Sequence, residues 1–253
     1  PSDLVREITF VGDSHTDAIR AALVSGLVSA PANLRLLVKR RINPQKPSIG
    51  GDIHEDAIPG FAERARQADL IVLQLRGNQF NTLCLLQHPV PFDFEIRHPD
   101  IAPELHDVVL IPNALLRDYF DQTLKAGYGK VLKDIAERSN ATVYCLAPPS
   151  PKRDHTFIIQ NAEKVFKSLD IGRVGVTPAS VRLKMWIMQN QSLEALCESL
   201  GIRFLWMPPG TTDDHGYLLE EYYARDATHG NAAYGACVVR QIIDQALKEQ
   251  NES

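Results

Sequence analysis

Short, uniformly apolar runs alternate along the chain with longer stretches in which apolar residues recur every three or four positions. The short runs fall at residues 8–11, 34–38, 70–75, 142–146 and 202–206, and Gly, Pro or polar residues bound each of them. A strand buried on both faces has no polar side to present, so uniform apolarity over so short a run predicts strands inside a covered sheet. Helical spacing appears at 18–28, 62–68, 115–139, 179–200 and 232–247. Parallel neighbours need crossover connections, and strand–helix alternation supplies them. The pattern therefore predicts an α/β sandwich with a parallel sheet between two helical layers. In such sheets ligands bind beyond the carboxyl ends of the strands, so the loops there carry the search for chemistry.

Two connections, at about 81–113 and 148–178, far exceed the usual length of about four to six residues. The chain has no internal repeat and no low-complexity tract, so the expectation is a single domain over 1–253 carrying two long insertions. The first insertion leaves the third strand at its carboxyl end and is expected to wall the cleft, with Phe92 and Phe94 as apolar contacts. Pro89, Pro91, Pro99 and Pro103 restrict its unfolded alternatives, which suits a preformed wall. Histidines 88, 98 and 106 in this segment are expected to be exposed, and the second segment shows one modest helix pattern.

Gly12-Asp13-Ser14-His15 follows the first strand and precedes a helix. A serine there presents its hydroxyl at the strand-end face, and its N–H lies at a helix N-terminus, where a developing negative charge is favoured. Asp and Ser are also ordinary cap residues, so this motif alone does not decide. At the other end of the chain, Asp226 and His229 stand three apart in a loop between the last strand and the final helix. A serine hydroxyl is a poor nucleophile until a base takes its proton, and that base needs an acceptor to orient it. The three together predict Ser14 as nucleophile, His229 as base and Asp226 as orienting acid. His15, next to Ser14, is expected on the substrate face or the surface rather than as the base.

Gly12-Asp13-Ser14 near the start, Gly77-Asn78 after the third strand and Asp226-x-x-His229 near the end resemble the SGNH (GDSL) hydrolase superfamily in order and placement over almost the whole chain. The resemblance implies a flavodoxin-like α/β/α sandwich with a five-stranded parallel sheet of order 2-1-3-4-5, and a Ser14–His229–Asp226 triad. It further implies oxyanion donors from the Ser14 N–H, the Asn78 side chain and a glycine N–H after the second strand. Gly50 and Gly51 both fit that last place, and spacing to the third strand favours Gly51. The family's third motif usually reads G-x-N-D, whereas Arg76-Gly77-Asn78-Gln79 keeps the asparagine and replaces the first glycine and the aspartate. Arg76 would meet an anionic substrate group or a nearby carboxylate.

The implied activity is hydrolysis of a carboxylic ester, with a short acyl group such as acetyl on a carbohydrate favoured by the resemblance. An O-acyltransferase with the same triad is the close alternative, and a non-catalytic binding module the distant one. No α/β-hydrolase elbow G-x-S-x-G occurs, and Gly127-Tyr128-Gly129-Lys130 lacks the remainder of a phosphate loop, so it reads as a bend in a helix.

A net charge of -4 gives no footprint for nucleic acid. The run Lys39-Arg40-Arg41 reads as a solvated face. Cys84, Cys145, Cys197 and Cys237 are too scattered for a zinc site, so they read as buried free thiols, and neither metal nor cofactor is expected. The expected partner is a small-molecule or carbohydrate ester. No apolar run of membrane length and no signal-peptide pattern occur, which makes a cytoplasmic location the default, although the first residue is not Met and a removed leader remains open. His215 reads as a turn residue, and Trp186 and Met188 as core.

Overall fold

The computed structural model describes residues 6–45, 47–67, 69–75, 77–96 and 107–252. Its strands are β1 (Arg6–Gly12), β2 (Leu34–Arg40), β3 (Leu70–Gln74), β4 (Phe92–Asp93), β5 (Val109–Leu110), β6 (Thr142–Leu146) and β7 (Arg203–Leu205). Helices are α1 (Thr16–Val24), α2 (Ile58–Glu63), α3 (Gln79–Cys84), α4 (Asn113–Leu124), α5 (Lys130–Arg138), α6 (His155–Asn161), α7 (Lys164–Ser168), α8 (Ile171–Val174), α9 (Ala179–Ser199) and α10 (Ala232–Glu252). Five strands form one parallel sheet in the order β2-β1-β3-β6-β7, which is 2-1-3-4-5 counted among themselves, and β4 pairs with β5 in a separate two-stranded ribbon.

Successive side chains of a strand point to opposite faces, and here both faces are covered. Ile8, Phe10, Leu70, Val72, Tyr144 and Leu146 meet Ile19 of α1 and Val238, Val239 and Ile242 of α10. Val11, Ile71, Leu73, Val143 and Cys145 point the other way, onto α2, α4, α5 and α9. This double cover is why the strands read as unbroken apolar runs. The α1–α10 contact is close enough to need a glycine, because a Cβ on Gly235 would lie 2.1 Å from the Ala18 carbonyl oxygen. Glu249 of α10 ties that layer to the sheet, accepting from Arg6 Nη2 at 2.7 Å and from the Tyr144 hydroxyl at 2.6 Å.

Boundaries shift where local chemistry overrides periodicity. The helix expected at 62–68 begins instead at Ile58, where Pro59 sits in the first turn with its φ already helical. The helix expected at 115–139 is α4 and α5 joined through a π-helical turn at Lys125–Gly129, so the glycine pair lies within the helix. In α9 every residue from 181 to 190 is buried, Trp186 and Met188 together with Arg182, Lys184 and Gln189. Cys84, Cys145 and Cys197 are buried free thiols and Cys237 is half-buried, and His215 is an exposed turn residue.

Residues 92–94 of the first insertion pack into the body of the protein. Phe94 and Asp93 are fully buried, and Asp93 accepts from Lys184 Nζ at 2.9 and 3.0 Å. Residues 97–106, and with them His98, Pro99, Pro103 and His106, lie outside the described residues, as does Arg76. No described helix is long and apolar enough to cross a membrane.

Candidate active site

The site starts where β1 ends. A Cβ on Gly12 would sit 2.3 Å from the Gln74 carbonyl oxygen of β3, so only glycine allows this approach of two backbones. The chain then turns: Asp13 N–H donates to Gln74 O at 3.1 Å, and Thr16 Oγ1 donates to the Asp13 carbonyl at 2.6 Å. The Asp13 carboxylate accepts from Arg41 Nε at 2.6 Å, and Arg41 also contacts Glu55. Arg40 pairs with Asp17 at 2.8 Å, and the Lys39 ammonium lies 5.5 Å from the Phe61 ring centre. The basic run is therefore no simple solvated face, because Arg41 is buried and fixes the Ser14 turn from the side. Ser14 stays half-exposed one residue before the cap of α1.

His229 brings Nε2 to 2.7 Å from Ser14 Oγ, and its Nδ1 lies 2.9 Å from Asp226 Oδ2. The Asp226 Oδ1 atom accepts the backbone N–H groups of Thr228 at 2.9 Å and His229 at 2.7 Å, so the loop itself aims the carboxylate. Burial pushes the Asp226 carboxyl pKa upward, but the hydrogen bonds and charge of His229 and the charge of Lys152 outweigh that effect. They hold it well below the usual carboxylate range. Two further charged groups adjoin the loop, and nothing local in the sequence marks them. Lys152 Nζ donates to the carbonyl oxygens of Ala224 at 2.7 Å and Asp226 at 2.6 Å. Glu163 accepts from Ala227 N–H at 3.2 Å and Thr228 Oγ1 at 3.3 Å, and its Oε1 is 3.8 Å from His229 Nδ1.

His15 is not a surface residue. It is only 5% exposed, its ring centre lies 4.7 Å from that of His229, and neither of its ring nitrogens meets a hydrogen-bonding partner. Burial, and secondarily the neighbouring His229, push its pKa down to about 3, so it is neutral over the ordinary pH range.

Asn78 caps α3 at the same strand-end face. Asn81 Nδ2 donates to Asn78 Oδ1, which occupies the carbonyl side of that amide and turns its NH2 group the other way. The loop carrying Asn78 is held from α9, where Gln189 accepts from Phe80 N–H and donates to Gly77 O, both at 2.8 Å. After β2, Gly50 lines the cavity, but its N–H donates to Pro47 O at 3.1 Å. A Cβ on the adjacent Gly51 would meet Ile42 Cγ1 at 2.8 Å, a seat that glycine fits.

These pieces surround an open cavity of about 630 Å3 whose lining includes Ser14, His229, Asn78, Ile49, Val165 and Phe166. Of the first insertion's described residues, Thr82 alone reaches it, and Phe92 and Phe94 pack in the core instead. The opposite wall comes from the second insertion through Glu163 and α7. Insertion length did not distinguish the two. The donor atoms of Glu163, Asp226 and His229 lie within 4.8 Å of one another, near enough to share a cation. Both His229 ring nitrogens are already engaged, with Ser14 and with Asp226, in one continuous hydrogen-bonded chain.

The sequence matches no family model and no curated protein. The likeness is in the backbone. An extracellular lipase from Streptomyces rimosus superposes with a TM-score of 0.51 at 12% identity, over 95% of this chain and 99% of that one. A carbohydrate acetylesterase from Sinorhizobium meliloti gives 0.45 at 13% identity over 96% and 99% of the two chains. A GDSL-like lipase from Bacteroides thetaiotaomicron gives 0.45 at 12% over 97% and 91%. The chain shares the fold of the Streptomyces rimosus lipase.

Proposed function

We propose that the protein is a serine esterase that hydrolyses a carboxylic ester, preferring a short acyl group such as acetyl on a carbohydrate, through an acyl-enzyme on Ser14. The observation that carries this reading is the continuous relay from Ser14 Oγ to His229 Nε2 at 2.7 Å and from His229 Nδ1 to Asp226 Oδ2 at 2.9 Å. With Nδ1–H donated to Asp226, Nε2 is the acceptor and takes the Ser14 proton as Oγ attacks the ester carbonyl carbon. The tetrahedral oxyanion is met by Ser14 N–H, the Asn78 amide and the N–H of Gly51, since the neighbouring Gly50 N–H already donates to Pro47 O at 3.1 Å. Collapse breaks the acyl–oxygen bond, and the imidazolium returns its proton to the leaving alkoxide. A water molecule, deprotonated by the same nitrogen, then attacks the acyl-enzyme and frees Ser14. Ile49, Val165 and Phe166 offer a short apolar surface to the acyl group, and Asn43, Gln79 and Thr82 offer polar partners to a hydroxylated alcohol.

The test is a panel of p-nitrophenyl esters of increasing acyl length, run beside acetylated sugars with product analysis, and fluorophosphonate labelling of Ser14. Turnover strongest on short acyl chains, with stoichiometric labelling, supports the reading. If no ester is hydrolysed and Ser14 resists labelling, the reading is wrong.

A further inference from the structure

Lys152 is a buried cation in an unusual position. Its side chain is 0% exposed, and it contacts the Asp226 loop without lining the cavity. Removing an ammonium from water is costly unless partners replace its hydration, so a lysine held this deeply needs a dense set of acceptors. The set is present. Nζ donates to Ala224 O at 2.7 Å and Asp226 O at 2.6 Å, reaches Asp226 Oδ1 at 3.5 Å, and lies 5.0 Å from the ring centres of both Phe157 and Tyr223. Its own backbone is fixed as well, because Arg182 Nη1 of α9 donates to Lys152 O at 2.6 Å. The ammonium thus joins the rigid side of the second insertion to both the backbone and the carboxylate of a residue in the relay.

We infer that Lys152 is a positioning residue for Asp226, holding the carboxylate in register with His229 Nδ1. This inference rests on the esterase reading of the same site. Asp226 Oδ1 already takes two backbone N–H groups, which fix it within its own loop but do not fix that loop relative to the sheet. Lys152 ties the loop from outside, to carbonyls on both sides of Arg225, on the other flank of Asp226 from the Glu163 bonds to Ala227 and Thr228. The groups facing the ammonium are Asp226, Glu163, the Tyr223 phenol and, through the backbone, Arg182.

Burial lowers the Lys152 pKa from its usual value to about 8, against the opposing pull of Asp226 and Glu163. Above that pH the ammonium becomes an amine. It then has two protons for three acceptors and no charge to balance Asp226, so the tie loosens as pH rises. Turnover is therefore expected to fall through this range as the Lys152 proton is lost.

The experiment measures kcat and KM for p-nitrophenyl acetate from pH 6 to 10, corrected for spontaneous hydrolysis, in wild type, Lys152→Met and Lys152→Gln. Wild-type kcat should fall above pH 8. Lys152→Met should lower kcat at pH 7 by about ten- to a hundredfold with KM within about threefold, as expected when a reacting group is misplaced but substrate contacts remain. Its profile should be flat from pH 7 to 10. Lys152→Gln, which keeps a neutral donor, should lie between the two and also lack the alkaline fall. A flat wild-type profile overturns the inference and needs no variant to fold. So does a folded Lys152→Met enzyme with kcat within threefold of wild type, or an alkaline fall that survives in either variant. Failure of the esterase reading would show separately, as absence of turnover in wild type.

Discussion

His229 and Ser14 are 215 positions apart in sequence, yet Nε2 of one lies 2.7 Å from Oγ of the other. The distance is that of a short hydrogen bond. Replacing Ser14 with Ala should lower kcat for ester hydrolysis by about four to six orders of magnitude while leaving the circular dichroism spectrum unchanged. Steady-state assays check this, and activity within tenfold of wild type would remove Ser14 from the nucleophile role.

His229→Ala should be about as damaging as Ser14→Ala, whereas His15→Leu should cost roughly tenfold or less, because it keeps an apolar filler of similar size against the His229 ring. Stability should respond differently. In the unfolded chain His15 takes up a proton as pH falls through about 6.5, while the folded pKa is about 3. Between those values the unfolded state binds the extra proton, so stability falls as pH falls, by at most about 1.4 kcal/mol per unit. Urea denaturation at pH 7, 5 and 4 should show a shallower decline for His15→Leu than for wild type. Equal slopes would count against a neutral buried imidazole.

Asn78→Ala should lower kcat more than it raises KM, with a loss of about 2.7–4 kcal/mol in transition-state stabilisation, since its amide would meet charge that exists only in the transition state. Gln189→Leu should produce the same kcat-weighted pattern at a distance, by releasing the loop. It should also cost about 1–3 kcal/mol of stability through the unpaired Phe80 N–H and Gly77 carbonyl. A pure KM effect at either position would place Asn78 in ground-state binding.

Phe166→Ala and Val165→Ala should change the ranking of ester chain lengths, because both side chains face the cavity. Asp93→Ala, in the first insertion, should leave that ranking intact and destabilise the protein by about 3–5 kcal/mol, the scale for leaving a buried Lys184 with the Phe94 carbonyl but no carboxylate. Competition assays on mixed esters and thermal melts separate the two effects. A changed ester ranking in Asp93→Ala would restore the first insertion as a wall of the cleft.

The parallel sheet was legible because its central strands are apolar on both faces, whereas its order came with the family resemblance. Ser14, Asp226 and His229 stood out because they sit at strand-end loops with motif spacing. Lys152 and Gln189 were not legible. A lysine or glutamine in a sequence reads as solvent-facing, and only contacts with residues 72 and 112 positions away give these two their roles. Gly50 and Gly51 are adjacent and chemically identical, so spacing cannot tell which one the loop turns toward the cavity. The short helices α6, α7 and α8 left only one modest helix pattern between them, since each is too brief for one face to repeat. Their packing is fixed by a small cluster that includes Ile158, Ile171 and Ala227.

The tight seat of Gly235 against Ala18 has a consequence for synthesis. The helix that follows Ser14 is made about two hundred residues before the helix that follows His229. Over that interval the nascent chain carries the Ser14 hydroxyl without the His229 imidazole. The proposed esterase activity can begin only when α10 has settled beside α1, so its onset would report the docking of these two helices.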